Sequence, residues 1–299
     1  VSTLFDTEAE LEMKIGALAP WFGSKRTLAP TIVRELGPHC SYWEPFCGSM
    51  AVLMEKKPCG MEVVNDLHRD LINLARVVAS KRAHELFDLC QRTWSCEELF
   101  NEAKENCFTV ECEPAKSIEE ITDANLTRAW AFMTMSWQGM NGRAGTVASN
   151  ITVARRFTHN GGAGGMRWRS AVDSIPAWSE RLRSVQILNM DAFEMLKRIG
   201  DQEGSAIYVD SPYVKKTAKY VHDFAAADHE KLAASLQRFK KARVVVSYYD
   251  DPLLDRLYAG WTKRSVAITK NLVNQGKRDT EGEVVKAPEV LLINGESYA

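Results

Sequence analysis

The sequence has no apolar run near the roughly 18 residues that a membrane-spanning helix needs; its apolar runs, such as Val244-Val245-Val246 and Leu291-Leu292-Ile293, are strand-sized. No basic start followed by an apolar stretch resembles a signal peptide, so a cytoplasmic location is the expectation. Cysteine is sparse. The seven cysteines are odd in number and scattered, which reads as reduced thiols rather than a disulfide framework, and Cys90, Cys96, Cys107 and Cys112 lack the paired short spacings of a zinc site, so no metal is expected. There is no internal repeat, heptad or low-complexity segment. A lysine-bearing phosphate loop is also missing, because Gly23-Ser24-Lys25 lacks the preceding glycine of G-x-x-x-x-G-K. Net charge is absent too, at -1, which on its face argues against a nucleic-acid partner.

What is present is an ordinary globular composition, 45% hydrophobic and 26% charged. A length of 299 residues suits about two domains of roughly 150 residues, or one α/β body carrying an inserted module. The near-zero charge hides an asymmetry. From Ser95 to Asp123 nine acidic residues face only Lys104 and Lys116, whereas from Arg143 to Arg183 seven arginines face only Asp173 and Glu180. Arginine suits bidentate contacts with phosphate and guanine, although an arginine-rich solvated surface explains the composition equally well.

Along the chain, Tyr42 to Phe46 reads as a strand ending at Gly48, Ala51 to Lys57 as a helix, Met61 to Val64 as a strand ending in Asn65-Asp66, and Leu67 to about Ala79 as a helix. Strand, glycine turn, helix, strand, acid, helix is the order of a parallel sheet with crossover helices, whose ligands sit at the carboxyl ends of the strands. The alternation stops from about Ser80 to Arg183, where helical spacing recurs around Ala83 to Gln91 and Leu126 to Trp137 and glycines accumulate up to Gly165. This predicts a flexible, arginine-bearing insertion. The rhythm resumes with strands over Val185 to Leu188, Ala206 to Val209 and Arg243 to Tyr248, and a helix over Asp228 to Lys240. Thr262 to Thr269 and Pro288 to Ile293 read as a closing antiparallel pair joined by a polar loop.

Two features carry chemistry. The turn after Glu44-Pro45-Phe46 has a glycine that lets a ligand approach the backbone, and Asp66, about 20 residues later, ends the next strand where an acid accepts hydrogen bonds from ribose hydroxyls. Together they favour a nucleoside-containing ligand without a triphosphate. The sharper signal is Ile207-Tyr208-Val209-Asp210-Ser211-Pro212-Tyr213, an apolar strand delivering a carboxylate, a small residue, a proline and an aromatic in a row. An exocyclic amine on a base is a poor nucleophile because its lone pair is delocalised; a carboxylate and a stiffened carbonyl that accept its N–H groups localise that pair, and an aromatic face offsets unstacking. The bland alternative is a strand running into an ordinary Ser-Pro turn.

These residues resemble a known family, the Dam-like, D12-class adenine-N6 DNA methyltransferases. Trp21-Phe22-Gly23-Ser24-Lys25 is similar to its W-x-G-[GS]-K element, Glu44 to Ser49 to its E-P-F-x-G-S, and Asn65-Asp66 with Asp70-Leu71-Ile72-Asn73 to its N-D-x-N-x-D-L-I-N. Asp191-Ala192-Phe193 resembles D-x-F, Asp210 to Tyr213 D-P-P-Y, Gly139 to Arg143 the F-N-G-x-x-R neighbourhood, and Glu289 to Asn294 E-x-L-x-x-N. The resemblance implies a Rossmann-like methyltransferase sheet, mostly parallel with an antiparallel last strand. It divides the chain into a catalytic core over 1–79 and 184–299 and a largely helical target-recognition module over 80–183. It implies S-adenosyl-L-methionine as cofactor, contacted by Trp21, Lys25, Asp66 and Asp210, with Glu44, Phe46 and Gly48 lining the pocket and Asp191 and Phe193 flanking the cofactor adenine. Asp210, Ser211, Pro212 and Tyr213 would be the catalytic tetrapeptide that holds a flipped adenine. Double-stranded DNA would be the partner, met by some of Asn141, Arg143, Arg155, Arg156, Arg167 and Arg169, and a cognate restriction endonuclease stays open as a second one.

Ser211 replaces the family's first proline, which is expected to loosen the turn, and Met50 stands where a second glycine is usual, with an expected effect on the pocket wall alone. Pro58-Cys59 is similar to the nucleophile of cytosine-C5 methyltransferases, but a free cysteine is more often a small core residue. His229, beside Asp228 at a helix start, reads as structural, and Trp130, Phe132 and Trp137 as core. Cytosine N4 or a protein glutamine amide asks for similar acceptors, and a DNA-binding protein that has lost turnover could share the scaffold; these remain the alternatives.

Overall fold

The computed structural model describes residues 16–21, 23–109, 113–139, 152–153, 164–213, 224–268 and 287–298. Its first half runs α1 (Ala29–Leu36), β1 (Ser41–Glu44), α2 (Ala51–Glu55), β2 (Met61–Asn65) and α3 (Arg69–Ala79). Helices α4 (Ala83–Arg92), α5 (Glu97–Thr109), α6 (Asp123–Gln138), α7 (Gly164–Asp173) and α8 (Ile175–Leu182) follow. Then come β3 (Gln186–Leu188), α9 (Ala192–Arg198), β4 (Ser205–Val209), α10 (Ala226–Gln237), β5 (Arg243–Tyr249), α11 (Pro252–Leu257), β6 (Thr262–Ile268) and β7 (Ala287–Ile293). The strands form one sheet in the order β3-β2-β1-β4-β5-β7-β6, parallel through β5, with β7 antiparallel to both β5 and β6.

Strand β1 is the pivot. The chain moves outward from it to β2 and β3, then returns to its other side with β4, so the strand order reverses between β1 and β4 and leaves a crevice at their carboxyl ends. Strand β4 is buried at every residue, as a central parallel strand covered on both faces must be, which is why Ser205 to Val209 reads as an unbroken run rather than an alternation. Every strand read from the sequence is present, and the closing antiparallel pair is β6 with β7.

The regular elements described within 80–183 are all helices, with an isolated antiparallel bridge between Gly139 and Val153. Glu97 and Glu98 occupy the first turn of α5, where carboxylates complement the helix dipole, and α7 begins inside the glycine run; neither helix is legible in the hydrophobic spacing. Helix α6 opens with a reciprocal cap, Thr122 Oγ1 accepting from Asn125 N at 3.2 Å and Asn125 Oδ1 from Thr122 N at 3.0 Å. It is buried nearly throughout, and Trp130, Phe132 and Trp137 lie in the same apolar core as Leu71, Leu74 and Val78 of α3. Asp70 and Asn73 of the resembling motif serve this packing: Asp70 takes both forks of Arg128 at 2.7 and 3.1 Å, and Asn73 and Asn125 exchange two 2.8 Å bonds. Helix α8 is tied to β2 through Glu62, which receives both Arg181 and Lys56 in full burial.

Met50 corrects an expectation. It holds a left-handed backbone (φ 58°), the conformation a glycine would take freely, but its side chain is wholly buried in the core and does not wall the pocket. Its cost is about 1–2 kcal/mol of backbone strain, carried by the packing around it. Cys59 is likewise away from the pocket, packed against the core beside Lys56.

Candidate active site

The carboxyl ends of β1, β2 and β4 open on one cavity, lined by Trp21, Lys25, Glu44, Phe46, Gly48, Asp66, Asp191, Phe193 and the tetrapeptide Asp210 to Tyr213. Residues separated by nearly 200 positions in the chain therefore share one wall. Arg167 and Arg169 lie elsewhere, on α7. Asn141, Arg143, Arg155 and Arg156 fall outside the described residues, as does the polar loop between β6 and β7.

The floor is built by backbone-directed polar groups. Asp66 Oδ2 accepts Gly48 N at 2.9 Å and its Oδ1 accepts His68 N at 2.9 Å, so this carboxylate shapes the glycine turn it faces. Gly48 is at φ +42°, and a Cβ there would come within 3.1 Å of the Trp21 ring, which in turn stands edge-on to His68 at 5.2 Å. Both the backbone angle and the closeness of the ring favour glycine here. Asn65, fully buried, donates to Pro45 O and Met190 O and accepts from Met190 N, all at 3.0 Å, which locks the ends of β1, β2 and the segment after β3 together. Asp191 caps α9, accepting from Phe193 N at 2.9 Å. Glu44 is deeply buried, and burial pushes its carboxyl well above the usual carboxylate range, partly opposed by the Tyr42 hydroxyl that donates to it at 2.9 Å.

The other wall is ionic. Lys25 Nζ lies 2.9 Å from Asp210 Oδ2 and 3.4 Å from Glu289 Oε1, donates to Gly23 O at 2.7 Å, and sits 5.0 Å from the centre of the Tyr213 ring. Burial alone would lower this ammonium, but Asp210 and Glu289 outweigh it and its pKa is raised. Ser247 Oγ donates to Asp210 Oδ1 at 2.9 Å, so the carboxylate is held from both sides. The Tyr213 hydroxyl donates to Glu289, and burial together with the nearby carboxylates raises its pKa well above the ordinary value, keeping it protonated. Glu289, matched to a motif in the sequence but given no role, is the far anchor of this wall.

Ser211 is tied to the neighbouring strand. It is 1% exposed, and its Oγ donates at 2.8 Å to Tyr248 Oη, which lies 3.0 Å from His229 Nδ1 on α10. Tyr248 Oη thereby joins the loop at Ser211 to His229, which is buried and stands edge-on to Phe224 at 4.8 Å. Phe224, which sequence reasoning missed, stacks on Phe193 with centroids 6.1 Å apart and meets Phe46 edge-on at 6.0 Å, closing the aromatic side of the pocket. Its only sequence signal was an aromatic residue just before α10.

A sheet whose strand order reverses beside a glycine turn facing a strand-end acid is the frame in which α/β enzymes place their ligands, and the wall bearing Asp210 and Tyr213 carries hydrogen-bond acceptors. Residues 21–274 match the D12 class N6 adenine-specific DNA methyltransferases, and the chain belongs to that family. It is an enzyme that methylates adenine in DNA at specific sites. It is similar to the retron Ec67 DNA adenine methylase of Escherichia coli, at 23% identity over 299 aligned residues, covering 94% of this chain and 92% of that one. Among the described residues no helix is long and apolar enough to cross a membrane, and no group of three or more His, Cys, Asp or Glu side chains is arranged to hold a metal ion.

Proposed function

We propose that the pocket binds S-adenosyl-L-methionine and presents its methyl group to N6 of an adenine extruded from double-stranded DNA, the DNA being held by the module over 80–183. The observation that carries this reading is the placement of Asp210, doubly anchored by Lys25 and Ser247, on the same cavity as the Gly48 and Asp66 cradle. The cradle suits the cofactor: Gly48 leaves the backbone open beneath Trp21, Asp66 retains lone pairs for ribose hydroxyls, and Asp66, Asp191, Asp210 and Asp228 line a cavity whose charge favours a cationic sulfonium. When bound, the cofactor would supply an electrophilic methyl carbon with a neutral thioether as its leaving group.

The chain's own residues do the rest. Asp210 accepts one N6–H, which turns the nitrogen lone pair out of the ring towards the methyl carbon. As the N–C bond forms and the S–C bond breaks, positive charge develops on N6, and Asp210 stabilises it until the surplus proton leaves to water. Lys25 lies between the two neighbouring carboxylates, Asp210 and Glu289, and offsets their mutual repulsion. Tyr213 offers the extruded base an aromatic contact, and Pro212 stiffens the Ser211 carbonyl as second acceptor. We place this activity in the cytoplasm of a bacterium or of a phage's host. The test is nucleoside mass spectrometry of duplex DNA incubated with enzyme and cofactor. N6-methyladenine should form and should vanish in Asp210→Ala with cofactor binding measurable in both proteins; methylcytosine, or undiminished product in the variant, would refute the assignment.

A further inference from the structure

We propose that Tyr249 is a positioning residue for the methyl transfer, which sets the plane of the Tyr213 ring that the extruded adenine meets. The proposal rests on the reading of Tyr213 as the aromatic contact for that base. It starts from register. Strand β5 runs parallel to β4 with Val246 beside Val209, so continuing both chains brings Ser247 beside Asp210 and Tyr248 beside Ser211. Side chains alternate along a strand, and the contacts follow the alternation. Ser247 Oγ donates to Asp210 Oδ1 at 2.9 Å on the pocket face. Tyr248 turns to the face that meets His229 of α10 and takes the Ser211 hydroxyl at 2.8 Å. Tyr249 returns to the pocket, which it lines. Its cross-strand partner in β7 is Glu289, the acceptor of the Tyr213 hydroxyl. Successive residues of β5 thus hold Asp210, Ser211 and Tyr213 in turn.

The Tyr213 and Tyr249 rings have centroids 4.4 Å apart and planes at 77°, an edge-to-face pair. Tyr213 needs this contact. Its hydroxyl is tied to Glu289, but a phenol ring held at its Cβ and its oxygen can still turn about the line that joins them, because that last torsion is broad. Lys25 Nζ, 5.0 Å from the ring centre, attracts the ring without fixing its tilt, and Tyr248 stands farther off at 5.8 Å. An edge laid against a face removes the rotation. Both tyrosines line the cavity, so they present the base with a nearly right-angled corner. A corner fixes the plane of a flat base, where a single ring that can turn would fix only its distance, and in-line transfer depends on that plane. The strand read from the sequence ends at Tyr248, one residue short of this contact.

The experiment is single-turnover methylation of unmethylated duplex DNA of mixed sequence by the full chain, with enzyme and S-adenosyl-L-methionine in excess, read by nucleoside mass spectrometry. Tyr249→Leu should slow the formation of N6-methyladenine on the order of tenfold. Dissociation constants for cofactor and duplex, measured on the same samples, should stay within about twofold of wild type, which shows that the variant is folded and that the loss lies in the transfer step. Tyr249→Phe, which restores the ring without its hydroxyl, should recover most of the rate. A Tyr249→Leu rate equal to that of wild type overturns this proposal and leaves the enzyme reading intact. So does a Tyr249→Phe as slow as Tyr249→Leu, because the effect would then belong to the hydroxyl, and so does a loss confined to cofactor or duplex binding, the mark of a merely structural residue. Wild type that forms no N6-methyladenine overturns both.

Discussion

The Ser211–Tyr248–His229 chain yields a prediction whose size follows from which groups are stranded. Tyr248 is 1% exposed, and burial first of all raises its pKa to about 12, so it is a hydroxyl and not a phenolate throughout the working range. Tyr248→Phe removes one oxygen and takes a partner from two buried groups, Ser211 Oγ and His229 Nδ1. At about 1–3 kcal/mol for each group so deprived, the variant should lose about 2–6 kcal/mol. Ser211→Ala removes only one partner, and Tyr248 keeps His229 as the other, so its cost should be about 1 kcal/mol. In the double variant the stranded serine no longer exists, and the total should fall short of the sum of the singles by about 1 kcal/mol or more. Urea denaturation of the full chain, with equal m-values across the set, measures all three. Single-turnover methylation should slow by about tenfold in Tyr248→Phe, because Ser211 is covalently next to Asp210 and small displacements of reacting groups are expensive. A Tyr248→Phe cost no larger than that of Ser211→Ala, or strictly additive singles, would show that the three groups do not act as one chain.

Other expectations are more local. Met50→Gly should relieve about 1–2 kcal/mol of left-handed strain but forfeit a fully buried side chain worth about 2–5 kcal/mol, so thermal melts should show a net loss of about 1–3 kcal/mol, not a gain. For Glu62, burial raises the carboxyl pKa, but Arg181 and Lys56 prevail and the folded pKa lies below the ordinary value. Its stabilising contribution is therefore present above the ordinary carboxylate pKa and is lost as pH falls through the folded one. Glu62→Gln should cost about 3–5 kcal/mol at pH near 7 by stranding two buried cations, and should lose less stability than wild type when both are taken to pH near 4. Lys25→Met leaves Asp210 and Glu289 without the cation between them. Methylation should drop on the order of 10²-fold in single-turnover assays; an undiminished rate would count against the role given to Lys25.

The parts of the fold legible in the sequence were those with a local cause. Strands such as Ala206 to Val209 announce themselves because a buried parallel strand is apolar on both faces, and the glycine turn and strand-end Asp66 because their chemistry sits within a few residues. Helices α5 and α7 escaped notice because one is dense in glutamate and the other starts in glycine; their stability comes from what they pack on, and neither spacing nor propensity reports that. In the same way, the ionic wall joins Lys25, Asp210 and Glu289 across the whole length of the chain, and only the sheet order shows that three separate motifs meet at one ammonium group.

A matched motif mixes chemistry with architecture, and the coordinates sort the two. In the stretch that begins at Asn65, Asp66 faces the pocket, whereas Asp70 and Asn73 face away from it and fasten α6 to α3. Their carboxylate and amide are as constrained as a catalytic pair, because a buried polar group that loses its partner costs about as much as a cavity. Ser211 shows the converse. Read locally, a serine in place of proline loosens a turn; read with Tyr248, 37 positions away, it exchanges a rigid ring for a hydrogen bond to the next strand. The hold on Ser211 then runs through three buried residues on a loop, a strand and a helix. A substitution that looks like a loss at one position is repaid only where all three are present, so introducing proline at 211 should be tolerated best when Tyr248 is also phenylalanine.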